Sequence, residues 1–182
     1  MQRRSLIRGA GAAAAAGALP MPAPALAQGA AARTLRVVPQ ANLTSLDPIW
    51  TTAVVTRNHA FLIYDQLCAQ DSQGEIKPQM VEGWVTENEG RDTTFTLRPG
   101  LKFHDGEPVR AKDCVASIRR WAARDTFAQV LWDRVEAVEA LDDRRFRIRA
   151  KRRTPLLLLA LGQTPFPCFI MPERIAATDP FQ

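Results

Sequence analysis

The sequence holds little with which to build a covalent or catalytic centre. Its 182 residues contain three cysteines, two histidines and one tyrosine. Three thiols cannot all pair internally, and the spacing of Cys68, Cys114 and Cys168 matches no zinc pattern. Each lies among apolar neighbours (Leu67, Val115, Phe169 and Ile170) and reads as a small buried hydrophobe, although an oxidising compartment permits one bridge. There is no Gly-x-Ser-x-Gly elbow, no phosphate loop and no dinucleotide glycine motif, so the common signatures of hydrolases, nucleotide hydrolases and dinucleotide enzymes are missing. His59 and His104 stand alone, without the thiolate or carboxylate pattern that a metal site needs. Asp142-Asp143 reads as turn chemistry rather than a catalytic pair. No internal repeat occurs, and the uncharged Ala/Gly run 9–19 is too short and too weakly apolar to span a bilayer of about 30 Å.

That run belongs to a recognisable order. Arg3, Arg4 and Arg8 form a basic start, the Ala/Gly-rich 9–19 follows, and Pro20, Pro22 and Pro24 break any helix. Ala25-Leu26-Ala27 is a small-x-small cleavage site before Gln28. This is the layout of a secretory signal, expected to leave after Ala27. The paired arginines followed by Leu6-Ile7-Arg8 resemble a twin-arginine signal; the general secretory route also accepts such a segment. Both routes place the mature chain in the periplasm. No cysteine follows the cleavage site, so no lipid anchor is expected there.

Export changes the charge argument. Removal of Arg3, Arg4 and Arg8 lowers the formal charge by three, from +5 to +2, so the basic balance says little about nucleic acid. The local basic run, 144–153, alternates arginine with Phe146, Ile148 and Ala150, which is the pattern of a strand with one wet face. No nucleic-acid partner is expected. The remaining chain is long enough for one sizeable core.

Along the mature chain, 34–39 is a short β-branched run ending at Pro39 and reads as a strand. Residues 40–48 are a polar loop, and 51–64 carries apolar residues at near-helical spacing. A strand at 67–70, a turn at 71–74 and a helical turn at 80–84 are expected next. Alternating runs at 84–87 and 93–98 flank a Gly90-containing loop, which is a hairpin signal, and His104-Asp105-Gly106 is a tight turn. Residues 111–124 give the clearest helix. Ala111, Cys114, Val115, Ile118, Trp121 and Ala122 share a face, with Lys112, Asp113, Ser117, Arg119, Arg120 and Arg124 assigned to solvent. Trp84 and Trp121 read as core aromatics. Residues 156–161 read as an apolar helix, 168–171 as a buried strand, and 172–177 as a helix with Pro172 at its first position.

Three stretches in fixed order carry more than their separate content. They are Tyr64-Asp65-Gln66-Leu67, then Gly74-Glu75-Ile76-Lys77-Pro78-Gln79, then Leu97-Arg98-Pro99-Gly100-Leu101-Lys102-Phe103-His104-Asp105-Gly106. A segment like Met80-Val81-Glu82-Gly83-Trp84 and the helix start Ala111-Lys112-Asp113-Cys114-Val115 complete the order. In this the chain resembles the N-terminal part of family 5 extracytoplasmic solute-binding proteins, the oligopeptide-, dipeptide- and nickel-binding class that serves ABC importers. The resemblance runs from about Thr34 to Gln182 and covers under half of a full member; Cys68 and Cys114 stand where other apolar residues are more usual.

The resemblance implies an α/β fold, periplasmic-binding-protein-like, of class II and the large multi-lobed type, with a mixed sheet and helices and here incomplete. It implies residues 28–46 as the first strand of a main lobe, 47–153 as a smaller sheet-and-helix lobe, and 154–182 as a truncated return toward the main lobe. It also decides 127–141. Periodicity alone makes this one helix; the resemblance implies a helix ending near Trp132 and a strand at 135–141 that turns at Asp142-Asp143 onto 144–150. The implied function is capture of a peptide or similar solute by hinge closure and its delivery to permease subunits, by a monomer without cofactor, metal or catalytic step. Gln40, Ala41 and Asn42 follow the first strand, in a loop that borders the interlobe cleft in the resembled proteins. They are the candidate ligand contacts, or else an ordinary polar connector. The residues that recognise peptide ends in the family lie mainly in later sequence. Two other classes remain to be separated: an exported hydrolase, which predicts a nucleophile or metal set, and a sensory binding protein docked to a receptor.

Overall fold

The computed structural model describes residues 35–181. The export signal, and the cleavage site after Ala27, lie outside the described residues. Residues 35–38 belong to one compact unit and 39–181 to a second, which holds every helix and strand described here.

The centre of that second unit is a four-stranded antiparallel sheet, made by two hairpins side by side. β4 (Val81–Glu87) pairs with β5 (Asp92–Leu97), and β6 (Val135–Ala140) pairs with β7 (Arg145–Ala150). β5 and β7 join them, giving the order β4-β5-β7-β6. The first hairpin closes through Asn88–Gly90, where Gly90 takes φ 86°, a backbone region that a side chain rarely tolerates. The second closes at Asp142, whose Oδ1 accepts from the amides of Arg144 (2.8 Å) and Arg145 (2.7 Å). Strand alternation sends Phe95, Leu97, Phe146 and Ile148 inward while Arg145, Arg147 and Arg149 stay toward solvent, as the two-residue period of the sequence predicts.

One helix covers the inner face of this sheet. α2 (Ala111–Arg124) packs on β6 and β7. Its apolar stripe is buried as expected, with Ala111, Cys114 and Ile118 fully enclosed. The polar assignment needs correction: Asp113, Ser117 and Arg120 are buried, with only Lys112 and Arg119 of the set well exposed. These three lie at i, i+4 and i+7, so they form a second stripe on the helix. Each is buried with hydrogen-bonded partners, although Nε of Arg120 has none among the described residues. Asp113 accepts from the amides of Arg110 (2.8 Å) and Glu173 (2.8 Å). Ser117 exchanges bonds with both backbone groups of Met171, and Arg120 reaches Asp47 and Thr178. The polar stripe thus takes the C-terminal segment, 171–178, as its partner.

Shorter elements complete the unit. α1 is Val54–Ala60, β1 is Asp65–Gln66, β2 is Cys68–Gln70 and β3 is Ile76–Pro78. α3 is Thr126–Trp132, α4 is Leu157–Gly162, β8 is Phe169–Ile170 and α5 is Glu173–Ala176. β1 pairs with β8 and β2 with β3. The helix-then-hairpin reading of 127–150 holds.

Four local expectations differ from the structure. Residues 35–39 form no strand; Leu35 and Val38 are 84% and 92% exposed, and no described residue offers the ladder that a strand needs. Residues 80–84 are not a helical turn, because the amides of Met80 and Val81 donate to Gln66 (3.1 Å) and Leu67 (3.2 Å), and Val81 onward pairs with β5. Local helical bonds lose to a buried partner strand. The helix over 51–64 is confined to Val54–Ala60, then tightens through bonds from Leu62 to His59 (3.0 Å) and from Ile63 to Ala60 (3.0 Å). Pro172 caps α5 from one position before the helix rather than opening it.

All three cysteines are free and fully buried in the core. Burial pushes the Cys68 thiol up to about 12 and raises those of Cys114 and Cys168 as well. Trp121 is buried and Trp84 packs against the core from its edge. Among the described residues, no helix is long and apolar enough to cross a membrane.

Candidate functional site

The connector after Gln40–Asn42 is where the chain is first fastened to the sheet-and-helix unit. Gln40, Ala41 and Asn42 are exposed, the first two forming a bend. Beyond them, Thr56 on α1 donates through Oγ1 to the carbonyl of Ser45 (2.9 Å). Asp47 closes a turn by accepting at Oδ1 from the amides of Ile49 (2.8 Å) and Trp50 (3.2 Å), which explains an Asp before Pro48 here. Its Oδ2 takes the Arg120 guanidinium at 2.5 Å.

Below this connector lies a cleft of about 140 Å³, lined by Ile49, Thr51, Arg57, Trp121, Asp125 and Phe166 among others. Its polar groups hold the walls together. Trp121 donates through Nε1 to the carbonyl of Phe166 (3.0 Å), Arg57 to that of Pro165 (2.9 Å), and Arg124 to that of Trp50 (2.6 Å). Asp125 caps α3 by accepting from the amide of Ala128 (2.7 Å). Burial pushes the Asp125 carboxyl above the usual carboxylate range, against the pull of that amide. The space suits one small apolar group, and Asp125 is the only carboxylate among its lining residues.

A raised Asp has a signed consequence for stability. The folded chain holds the Asp125 proton more tightly than the unfolded chain, so the contribution is greatest below the unfolded pKa of about 3.9 and is lost as pH rises through the folded pKa. Asn keeps the cap and does not titrate. The stability of Asp125→Asn relative to wild type should therefore rise from pH 3.5 upward and level off above the folded pKa. Urea unfolding across pH 3.5–7 checks this; a difference independent of pH refutes it.

A second cleft, of about 290 Å³, lies beside the turn that holds His104 and is lined by Tyr64, Asp65, Lys102, His104, Asp105 and Arg174 among others. Asp105 is held below the usual range first by the Glu107 amide (3.1 Å) and then by Arg174 (2.5 Å). Tyr64 is raised by burial and by the nearby Asp47 charge, with Arg120 acting oppositely. His59 is not among the residues lining this cleft. Among the described residues, no group of three or more His, Cys, Asp or Glu side chains could hold a metal ion. Gln40, Ala41 and Asn42 line neither cleft.

The sequence reading missed Asp47, Asp113, Ser117 and Arg120. The i, i+4, i+7 stripe of 113, 117 and 120 was the available signal: three polar side chains in line beside an apolar face imply a polar partner, not solvent.

Residues 75–181 match the model for bacterial extracellular solute-binding proteins, family 5 Middle. The chain belongs to this family. It is 42% identical over 154 residues to the probable peptide ABC transporter periplasmic-binding protein y4tO of Sinorhizobium fredii, covering 83% of this chain and 28% of that one. Among solved structures, Haemophilus influenzae OppA in complex with RPPGFSPFR matches with TM-score 0.62 and 26% identity, over 72% of this chain and 29% of OppA. The binding protein MoaA from A. tumefacien, in complex with mannopinic acid, matches with TM-score 0.63 and 30% identity, over 72% of this chain and 28% of that one. The chain therefore spans under a third of the length of these relatives. The sheet-and-helix unit is a piece of the family 5 fold, and these relatives are solute-binding proteins rather than enzymes.

Proposed function

We propose that the chain is part of the substrate-binding component of an ABC importer, which captures a peptide or similar small solute in the periplasm and delivers it to permease subunits. The observation that carries this reading is the 42% identity to a protein named as a probable peptide ABC transporter periplasmic-binding protein. The basic, Ala-rich and small-x-small order of residues 3–27 supports export to the periplasm, with cleavage after Ala27. In this reading residues 47–153 are the body of a small lobe, residues 28–46 belong to a main lobe, the chain turns back toward that main lobe within 154–182, and Gln40–Asn42 contact the solute from the connector. Solute that touches two lobes favours the closed arrangement, so binding itself drives closure. No bond of the solute is broken, and the component acts as a monomer.

The test is what the protein carries. Purified under native conditions from the periplasm of the cell that makes it, the protein should bring with it a peptide or small polar solute, released unchanged on unfolding and read by mass spectrometry. Recovery from the cytosol, or conversion of the solute to product, would overturn the proposal. A narrower result is expected of the 182-residue chain by itself. A micromolar complex is worth about −8 kcal/mol, shared in this reading between contacts on two lobes. Calorimetric titration with a mixed peptide pool should give no saturable heat; one-to-one saturation would show that a single lobe suffices.

A further inference from the structure

Solute capture as proposed gives no task to Arg120, yet its side chain is 2% exposed and charged. Its two terminal nitrogens serve different parts of the chain. Nη2 donates to Oδ2 of Asp47, 73 residues away, at 2.5 Å. Nη1 donates to the carbonyl of Thr178 and, at 3.1 Å, to its Oγ1, 58 residues away in the other direction. Each target is itself the keystone of a small turn. Asp47 holds the amides of Ile49 and Trp50 with its other oxygen. Thr178 bonds Ile175 through both its amide (3.1 Å) and its hydroxyl (2.7 Å). A planar fork can hold two such targets at once, whereas an ammonium offers one nitrogen.

We infer that Arg120 is a two-armed tie that locks residues 45–50 and 175–178 onto α2, so that both segments move with the sheet-and-helix unit as one body. Resting on the two-lobed reading above, this places hinge rotation before Ser45 and after Thr178. Gln40–Asn42 then lie on the flexing side of the incoming tie, where closure can reposition them.

The tie predicts reciprocity, which two independent hydrogen bonds do not. Amide hydrogen exchange of the 182-residue chain reads it, using Arg120→Lys, Asp47→Asn and Thr178→Val. Asp47→Asn turns an acceptor facing the guanidinium into a donor, and should speed exchange about tenfold in residues 45–50 and also in 175–178, while β5 and β7 keep their wild-type rates. Thr178→Val should loosen 45–50 in the same way, and Arg120→Lys should loosen both. Acceleration confined to the mutated segment would overturn the inference, as would no acceleration. Should Arg120→Lys fail to fold, the other two variants decide the matter. Coupled exchange in the 182-residue chain, alongside protein purified from the periplasm without any solute, would refute the import proposal and leave the tie standing; solute carried by the periplasmic protein, alongside uncoupled segments in the chain, would do the reverse.

Discussion

Phe146→Ala is expected to cost about 4 kcal/mol of unfolding free energy, within the range for truncating a buried aromatic. Phe146 is fully buried on β7, pairs in register with Phe95 of β5 and Ala140 of β6, and stacks on the Phe95 ring with centroids 5.0 Å apart and planes 8° apart. It therefore sits where both hairpins and α2 meet. The loss has two parts: transfer of the ring from a dry core, and the cavity left among side chains fixed by a sheet and a helix that cannot close on it. Native domains are stable by only about 5–15 kcal/mol, so this one truncation consumes a large share. The urea midpoint of Phe146→Ala should fall far below that of Val130→Ala, whose parent side chain is 63% exposed and whose effect should stay within about 0.5 kcal/mol. Equal midpoints for the two variants would mean that the hairpins do not share one core.

Ser117→Ala is the second large effect, about 2–3 kcal/mol, through hydrogen bonding rather than volume. The Ser117 hydroxyl donates to the carbonyl of Met171 (3.2 Å) and accepts from its amide (2.9 Å), and both residues are buried. Removing one oxygen strands a backbone donor and a backbone acceptor together, and a buried polar group without a partner costs far more than the bond was worth in water. Ser72→Ala, at an exposed turn position, should change stability by less than about 0.5 kcal/mol. Thermal or urea unfolding of the two variants checks the contrast. A small loss at Ser117 would show that the segment after Met171 is held mainly by its apolar contacts.

The parts of the fold legible in the sequence are those whose local signal and tertiary role agree. The apolar stripe of α2, the alternation of β5 and β7 and the Gly90 loop each make one statement that nothing in the tertiary structure contests. Elsewhere the deciding partner is remote. Val81 becomes a strand residue because Leu97 lies opposite it, and no window around 80–84 contains that fact. At 127–141 the helical period runs straight through the boundary between α3 and β6; the hairpin is carried by Asp142 and its two amide bonds. The buried face of α2 failed for a different reason. Propensity and charge assign Arg120 to solvent, and only the carboxylate at Asp47 and the oxygens of Thr178 make its burial tolerable. Polar stripes are legible as patterns, but their partners are not, since a hydrogen bond leaves no periodic trace in the residue that receives it.

The enclosed thiols carry a practical consequence. A sulfur reacts with maleimide or iodoacetamide as thiolate, and Cys68, Cys114 and Cys168 stay protonated at neutral pH behind a closed core. The native chain is thus chemically silent toward such dyes. A reporter introduced by Val130→Cys would be the only labelled position, so fluorescence or spin probes can follow the sheet-and-helix unit without first stripping the sequence of its own sulfur.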